Sequence, residues 1–425
     1  MTNSAQSAKP VIHAIDEFLA FLHSDYPQIS NIVIALSGGK DSVCLLSALK
    51  QQAKSHHLTA IYIDHGLQQD SAAWANFNAQ LCSELGIEFI SCKVTVNTQK
   101  SSLEQEARKA RYEALADFVD EKCCLVTAQH QDDQVETLLL QMLRGAGVKG
   151  LAAMPFIKPF AQGYHARPLL NVSQASIETY VTQEKLNFIE DPSNQDTRFK
   201  RNYLRHQVLP VLRQEWPQAN KSLSKVAENQ AESNELLSEI AAEDFTKVGI
   251  NNGLSISSLL ELSEARQNNL LRYWFEVLGQ KMPSKSFLTE IKQQLLMAEA
   301  DAEPIVELDE LQLRRYRNFL YAISPQNIEM DLNQEWEWRL VEDFEQVSTC
   351  KILLNEVLNL WPELTGQKVK VRYRRPGDKF YLPNKSHGQS LKNYFQEQAI
   401  PTWLRETALL VVHQDQVIFI QEKTL

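Results

Sequence analysis

No stretch of the 425-residue chain approaches 18 consecutive apolar residues, so a membrane-spanning helix is not expected. The N-terminal Met1-Thr2-Asn3-Ser4-Ala5-Gln6 lacks a basic n-region and an apolar core, so no secretory leader is read there. CxxC pairs are missing. The six cysteines, Cys44, Cys82, Cys92, Cys123, Cys124 and Cys350, stand mostly in apolar contexts and read as small buried hydrophobes. That usage fits a reduced, cytoplasmic compartment. An overall basic excess is lacking too, because the formal net charge is −10. Indiscriminate polyanion binding is thereby disfavoured, but a local basic surface is not excluded.

What is present is enough apolar material for a sizeable core, 44% of the residues, on a chain long enough for two or three domains. Residues 11–25 read as a short amphipathic helix. From about 31 to 145 strands and helices alternate: strands at 31–36, 58–64, 87–96 and 123–128, helices at 41–53, 72–85, 102–121 and 132–144. The strands are nearly continuous apolar runs, Cys124-Leu125-Val126-Thr127-Ala128 being typical. Such runs are expected of a parallel sheet covered on both faces by helices, the α/β class. Ligands of these sheets bind at the carboxyl ends of the strands, near the topological switch point. Three polar loops fall at such ends: Ser37-Gly38-Gly39-Lys40-Asp41-Ser42, Asp64-His65-Gly66, and Gln129-His130-Gln131-Asp132-Asp133.

The first of these is the most informative. Two glycines between a buried strand and a helix start let the backbone close around an oxyanion, because no Cβ blocks the approach. Backbone N–H groups and the helix dipole then favour negative charge, and Ser37, Lys40 and Ser42 can add donors. A nucleotide phosphate is the expected ligand. The run is not a Walker A loop, which needs G-x-x-x-x-G-K-[ST].

In the helix at 132–144, Asp132, Asp133 and Glu136 fall on one face at three- and four-residue spacing. Carboxylates placed there could hold Mg²⁺ on ATP phosphates, with Asp133 and Glu136 as the metal candidates. Ordinary capping, with Asp132 as N-cap, explains acids in a first turn equally well. Ser102-Leu103-Glu104-Gln105 fits a capping box. In the same helix Arg108 and Arg111 either pair along a solvated face or clamp a phosphate or carboxylate.

Beyond 150 the pattern loosens into loops, a helix near 174–186 and a basic cluster of Arg198, Lys200, Arg201, Arg205 and Arg213. Residues 216–300 read as mainly helical, with short strand-like runs at 305–309 and 319–323. The last hundred residues suggest a small α+β domain. Its segment 368–405 holds nine Lys/Arg against the two acids Asp378 and Glu397, interleaved with Tyr373, Phe380, Tyr381, Tyr394, Phe395 and Trp403. This is a pattern suited to nucleic acid. The expected domains are 1–215, 216–330 and 331–425.

Several motifs together resemble the tRNA(Ile)-lysidine synthetase family, a branch of the N-type ATP pyrophosphatases with a PP-loop. They are Ser37–Ser42, Asp64-His65-Gly66-Leu67, Glu106-Ala107-Arg108 with Arg111-Tyr112, and Thr127-Ala128-Gln129-His130-Gln131-Asp132-Asp133-Gln134-Val135-Glu136-Thr137. Further matches are Arg144-Gly145 with Gly150-Leu151, Arg167-Pro168-Leu169-Leu170, Glu190-Asp191-Pro192-Ser193-Asn194 with Asp196, and Arg201-Asn202 with Arg205. In the last domain the matches are Arg375-Pro376-Gly377-Asp378 and Ile400-Pro401-Trp403-Arg405. The match is dense over 30–210 and sparse over 370–410. Gln129 departs from it, since the family usually has His before His130, and so does Gln68, where a basic residue often follows Leu67.

The resemblance implies a Rossmann-like N-terminal domain, a helical middle domain and a small C-terminal tRNA-binding domain. It implies a two-step ligation. ATP adenylates the C2 oxygen of the wobble cytidine in a CAU-anticodon tRNA(Ile), and free L-lysine then displaces AMP to give lysidine. It assigns ATP to Ser37, Gly38, Gly39, Lys40, Asp41, Ser42, Asp64 and His65. Asp132, Asp133, Glu136, Lys40, His130 and Arg205 would be catalytic. Arg108, Arg111, Glu190, Asp191, Asn194 and Arg201 would border cytidine and lysine, and Arg374, Arg375, Lys379, Lys392 and Arg405 would grip the tRNA. Mg²⁺ would accompany ATP, and the protein would be a monomer or homodimer. The lysine amine, with an unperturbed pKa of about 10.4, calls for a nearby base or a carboxylate-lined pocket.

Three other readings compete. A tRNA thiolase on the same loop would need CxxC pairs or a cysteine at the active edge, and Cys123-Cys124 lie inside a strand. A glutamine-dependent amidotransferase would need a glutaminase domain before the loop, and position 2 is Thr. A non-catalytic RNA-binding adaptor would have little reason to keep Lys40, Asp41, Asp132, Asp133 and Glu136 together.

Overall fold

The computed structural model describes residues 9–66, 70–95, 103–250, 253–299, 302–308, 311–323, 332–340, 346–347, 350–351, 354–383 and 387–421. The expected capping box at Ser102 and the departure at Gln68 lie outside them. The chain divides into two compact units, Met1–Leu237 and Ser238–Leu425. Among the described residues no helix is long and apolar enough to cross a membrane.

The first unit follows the alternating pattern of its sequence. Helix α1 (Lys9–Asp25) leads into β1 (Asn31–Ala35), α2 (Lys40–Gln52), β2 (His57–Asp64), α3 (Ser71–Leu85) and β3 (Glu88–Lys93). Then come α4 (Leu103–Ala116), β4 (Cys123–Val126), α5 (Gln131–Leu143) and the single turn α6 (Val148–Leu151). The sheet order is β3-β2-β1-β4, all parallel, continued by β6 (Gly163–Ala166) and an antiparallel edge, β5 (Ile157–Phe160). The order reverses between β1 and β4, so the loops that follow these two strands flank the switch point. The sheet is covered on both faces. Ile32, Ile34, Cys124 and Val126 pack with α1, α2 and α7 (Gln174–Gln183), whereas Val33, Ile61, Leu125 and Leu115 form a second cluster on the α4 side. Cys44, Cys82, Cys123 and Cys124 are buried in this packing, as their apolar contexts implied.

The β5–β6 hairpin falls where the sequence suggested loops. Its turn uses Ala161 at φ 49°, a left-handed residue without the glycine that usually announces one. Gly163 is required by close approach, because a Cβ there would sit 2.3 Å from the Cys123 carbonyl oxygen and 2.4 Å from that of Asp120.

In the second unit the expected helical character is present in Glu264–Val277 and Lys285–Ile291, which bury Leu270, Leu271, Trp274, Phe275, Leu288 and Ile291. An antiparallel sheet of five strands accompanies them, Gly249–Ile250, Gly253–Ser255, Phe319–Ile323, Leu311–Tyr316 and Ile305–Leu308 in spatial order. The two strand-like runs near 305 and 319 are therefore parts of one sheet, and the middle segment is α+β. Its first two strands are only two and three residues long, too short for any period to show.

The C-terminal segment builds a six-stranded sheet around Lys368–Tyr373, Leu409–His413 and Gln416–Gln421. Tyr373, Phe380 and Phe395 are buried there. These three aromatics are core, and are not available as stacking platforms for bases.

Candidate active site

The phosphate loop joins β1 to α2. Gly38 sits at φ +84°, a conformation L side chains avoid, and Gly39 is the extended N-cap of α2. The loop is held by its own serines: Ser42 Oγ donates to the Gly39 carbonyl at 2.9 Å and lies 3.1 Å from Ser37 Oγ. It is also tied to a distant segment, since Ile189 N–H donates to the Gly38 carbonyl at 2.8 Å and Gly39 bridges to Ile189. Lys40 Nζ bonds Glu178 Oε1 of α7 at 2.6 Å, a half-exposed pair that an anion could displace.

The loop after β2 turns on Asp64, which accepts the Gly66 N–H at 2.8 Å. Arg111 Nε donates to His65 Nε2 at 3.1 Å. Arginine has no acceptor, so His65 must present Nδ1 as its N–H, and that buried nitrogen has no partner. Burial first, and then the Arg111 charge, push His65 down to about 4, so its imidazole is neutral at physiological pH.

After β4 the sequence reading needs correction. The N-cap of α5 is His130, not Asp132: His130 Nδ1 accepts the Asp132 N–H at 3.3 Å, and the Asp133 carboxylate returns to the His130 N–H at 3.0 Å. Asp132 instead pairs with Arg213 of the helix Leu209–Glu215. Asp133 and Glu136 are enclosed by two guanidiniums. Arg201 reaches Glu136 at 2.6 Å and Asp133 at 2.8 Å, and Arg205 reaches the same two carboxylates at 2.6 and 3.0 Å. Glu136 is fully buried. Burial alone would raise the Asp133 carboxyl, but His130, Arg201, the His130 backbone N–H and Arg205 hold it below the ordinary carboxylate range.

This arrangement does not fit Asp133 and Glu136 as Mg²⁺ ligands. A hard cation needs free carboxylate oxygens, and both Glu136 oxygens already accept guanidinium hydrogens. Among the described residues no cluster of His, Cys, Asp or Glu could hold a metal ion. The same pairing makes Asp133 a weaker base for an ammonium. In the sequence, Arg201 reads as a substrate contact and Arg205 as catalytic, and no member of the basic cluster is paired with these acids. The signal missed was stoichiometric: three buried acids in one helix turn require cations, and Arg201, Arg205 and Arg213 supply them.

Two adjoining cavities open along this edge, of about 390 and 730 Å³, sizes suited to a nucleotide and a second small substrate. The smaller is lined by the β1 and β2 loops, Tyr62, Trp74 and Arg111. Trp74 was not singled out from the sequence, and only its position on α3 beside the loops marks it. The larger adds Lys40, Asp41, Arg108, Gln129, Glu190 and Arg205. Asp191 and Asn194 border both, and Asp191 accepts the Ser193 N–H at 2.8 Å to start the short turn Pro192–Gln195. Asp41 Oδ1 is buried without a hydrogen-bond partner.

The tRNA candidates are dispersed. Lys379 and Lys392 are exposed. Arg375 pairs with Glu335 at 2.6 Å, and Arg374 lies over the Phe395 ring at 5.7 Å. Arg405 is half-buried, donating to Tyr316 Oη at 2.8 Å and to the Ile400 carbonyl at 2.9 Å. Its contacts tie the short helix Thr402–Arg405 to the strand Leu311–Tyr316.

Behind the larger cavity, Thr127 Oγ1 lies 2.7 Å from His165 Nε2, and Arg167 lies 3.4 Å from His165 Nδ1. Burial first, then Arg167, Lys158 and Arg108, push His165 down to about 3. Its ordinary value is about 6.5, so the unfolded chain binds this proton over a range where the folded chain does not. The stabilisation is full above pH 6.5 and is lost as pH falls toward 3. One proton corresponds to a slope of about 1.4 kcal/mol per pH unit. Urea unfolding at pH 7, 6 and 5 should show falling stability, and His165→Gln should flatten the fall. An unchanged slope in that variant would remove His165 as its source.

A PP-loop domain model matches residues 10–212, a TilS substrate binding domain model matches 254–321, and a TilS substrate C-terminal domain model matches 369–423. The chain is 35% identical to a tRNA(Ile)-lysidine synthase of Coxiella burnetii over 398 residues, covering 92% of this chain and 88% of that one. It is 35% identical to that of Vibrio cholerae, covering 96% and 94%, and 35% identical to that of Proteus mirabilis, covering 92% and 90%.

Proposed function

The chain belongs to the tRNA(Ile)-lysidine synthase family, and from that premise we propose that it makes lysidine on tRNA(Ile) through an adenylated cytidine. The wobble cytidine O2 attacks the α-phosphorus of ATP, forming an O–P bond while the bond to pyrophosphate breaks. The lysine side-chain amine then attacks C2, the C2–O bond breaks, and AMP leaves carrying the oxygen. A C2 oxide is a poor leaving group, and its phosphoester is a good one.

The observation that carries this reading is the convergence of a glycine phosphate loop, an adjoining pair of cavities and a rim of cations on one sheet edge. The smaller cavity would take adenosine, with Trp74 and the orphaned His65 N–H as its contacts. The loop N–H groups, Lys40 and Arg111 would face the phosphates. Glu190 and Asp191 would receive the lysine ammonium and favour its approach. Asp133 and Glu136 would hold Arg201 and Arg205 in place rather than act as base or metal ligands. Mg²⁺ would enter with ATP on its phosphates. Residues 1–215 would be catalytic, and 216–330 and 331–425 would bind tRNA.

The direct test mixes the protein with unmodified CAU-anticodon tRNA(Ile), Mg-ATP and labelled L-lysine. Label in the RNA with AMP and pyrophosphate released supports the reading. Pyrophosphate release without label would overturn lysine as nucleophile, and silence on both would favour an adaptor.

Of the tRNA candidates, the exposed lysines are the ones free to meet phosphate. Lys379→Glu and Lys392→Glu together should weaken tRNA binding at least tenfold. They should also reduce the slope of log affinity against log salt by about 1 per lost contact. Arg405→Glu should instead lower the melting temperature, because it breaks contacts inside the second unit. Filter binding across a salt series and thermal unfolding separate the two.

A further inference from the structure

The strand β4 ends in a hydrogen-bonded chain whose direction is fixed by chemistry. Arg167 is buried and can only donate, so at 3.4 Å His165 Nδ1 is the acceptor. A neutral imidazole accepting at Nδ1 carries its proton on Nε2. That proton points at Thr127 Oγ1, 2.7 Å away, which therefore accepts. The Thr127 hydroxyl has one hydrogen left, and it goes to Gln129 Oε1. The chain runs Arg167, His165, Thr127, Gln129, and its last step uses the amide oxygen. His165 cannot reverse it by charging, since its proton affinity is held far below neutrality.

Gln129 is only partly buried and lines the larger cavity beside Lys40, Arg108 and Arg111. With its oxygen committed, what it offers the cavity is the NH₂ group. We propose that Gln129 is a fixed hydrogen-bond donor to a phosphoryl oxygen of bound ATP, and that Thr127, His165 and Arg167 are positioning residues that hold its amide in that orientation. Left free, a glutamine amide presents oxygen or nitrogen about equally, and an oxygen facing a triphosphate repels it. The buried chain removes that alternative before the ligand arrives, which is preorganisation. It also makes the donor insensitive to pH, as an imidazole at the same position would not be. The proposal rests on the ATP reading above.

The test is equilibrium binding of ATP to the full chain by calorimetry without tRNA, with thermal unfolding of each variant alongside. Gln129→Leu removes the donor and should weaken ATP binding about tenfold, the worth of one hydrogen bond to a charged group. Gln129→Glu keeps the acceptor for Thr127 but puts a carboxylate on the phosphate, and should weaken it further. Thr127→Val cuts the chain with nearly the same volume and should cost three- to fivefold, while the double variant Gln129→Leu with Thr127→Val should bind no worse than Gln129→Leu alone. Such non-additivity is a signature that a general loss of packing does not give. Binding within twofold of wild type in folded Gln129→Leu, or fully additive losses in the double variant, would overturn the proposal while leaving the ATP reading intact. Failure of the wild-type chain to bind ATP would overturn both.

Discussion

Gly38→Ala is expected to abolish ATP binding, with a loss of at least a hundredfold. The backbone at φ +84° is a conformation that costs an alanine on the order of 1–2 kcal/mol. The new Cβ would also lie 2.5 Å from Ile189 Cδ1 and 2.9 Å from Asn78 Oδ1. Ile189 can swing its terminal carbon aside. Asn78 is fully buried on α3 and cannot. The loop must therefore shift, and with it the N–H groups meant for phosphate. Gly39→Ala is the control for stability: its φ is −71°, and its nearest neighbour is Ser37 Oγ at 3.4 Å. Thermal unfolding should find Gly39→Ala near wild type and Gly38→Ala clearly destabilised. Retention of ATP affinity within a few-fold in Gly38→Ala would mean that this loop does not hold the nucleotide.

Glu136→Ala is expected to be the most destabilising single change in the first unit, at about 3–5 kcal/mol. It strips two guanidiniums of a fully buried partner. Arg201 and Arg205 would then share Asp133 alone, and each would lose charge-assisted bonds. Glu136→Gln keeps the shape but turns one acceptor into a donor facing an arginine, so an intermediate loss is expected. Chemical denaturation measures both, and lysidine formation should fall with them. If Glu136 instead held a metal, Glu136→Ala would leave the fold nearly as stable and lose activity alone.

The nucleotide-facing half of the molecule was legible in the sequence because its signals are local. Strand, glycine turn and helix start follow one another within ten residues, and apolar runs such as Cys124-Leu125-Val126 need two covered faces. What the sequence could not show was pairing across distance. Nothing in Asp132-Asp133-Gln134-Val135-Glu136 says that the acids are answered by arginines 65 to 81 positions later. A free carboxylate cluster and a neutralised one read alike. The N-cap went to Asp132 because aspartate is the commoner cap, whereas the backbone gave that place to His130. The basic and aromatic interleaving near the C-terminus mixed two populations. Strand periodicity sent Tyr373 and Phe380 inward and left Lys379 outside. In the middle segment, sheet pairing between 250 and 320 is invisible to any window shorter than the gap it spans.

The bond from Ile189 N–H to the Gly38 carbonyl acts as a ruler. One end is the phosphate loop, and the two residues directly past the other end are Glu190 and Asp191. On the proposed reading, the spacing between the place for an activated phosphorus and the place for an incoming amine would thus be set by a main-chain bond. A residue inserted between Ile189 and Asp191 would change the gauge itself, and with it which amine reaches the carbon.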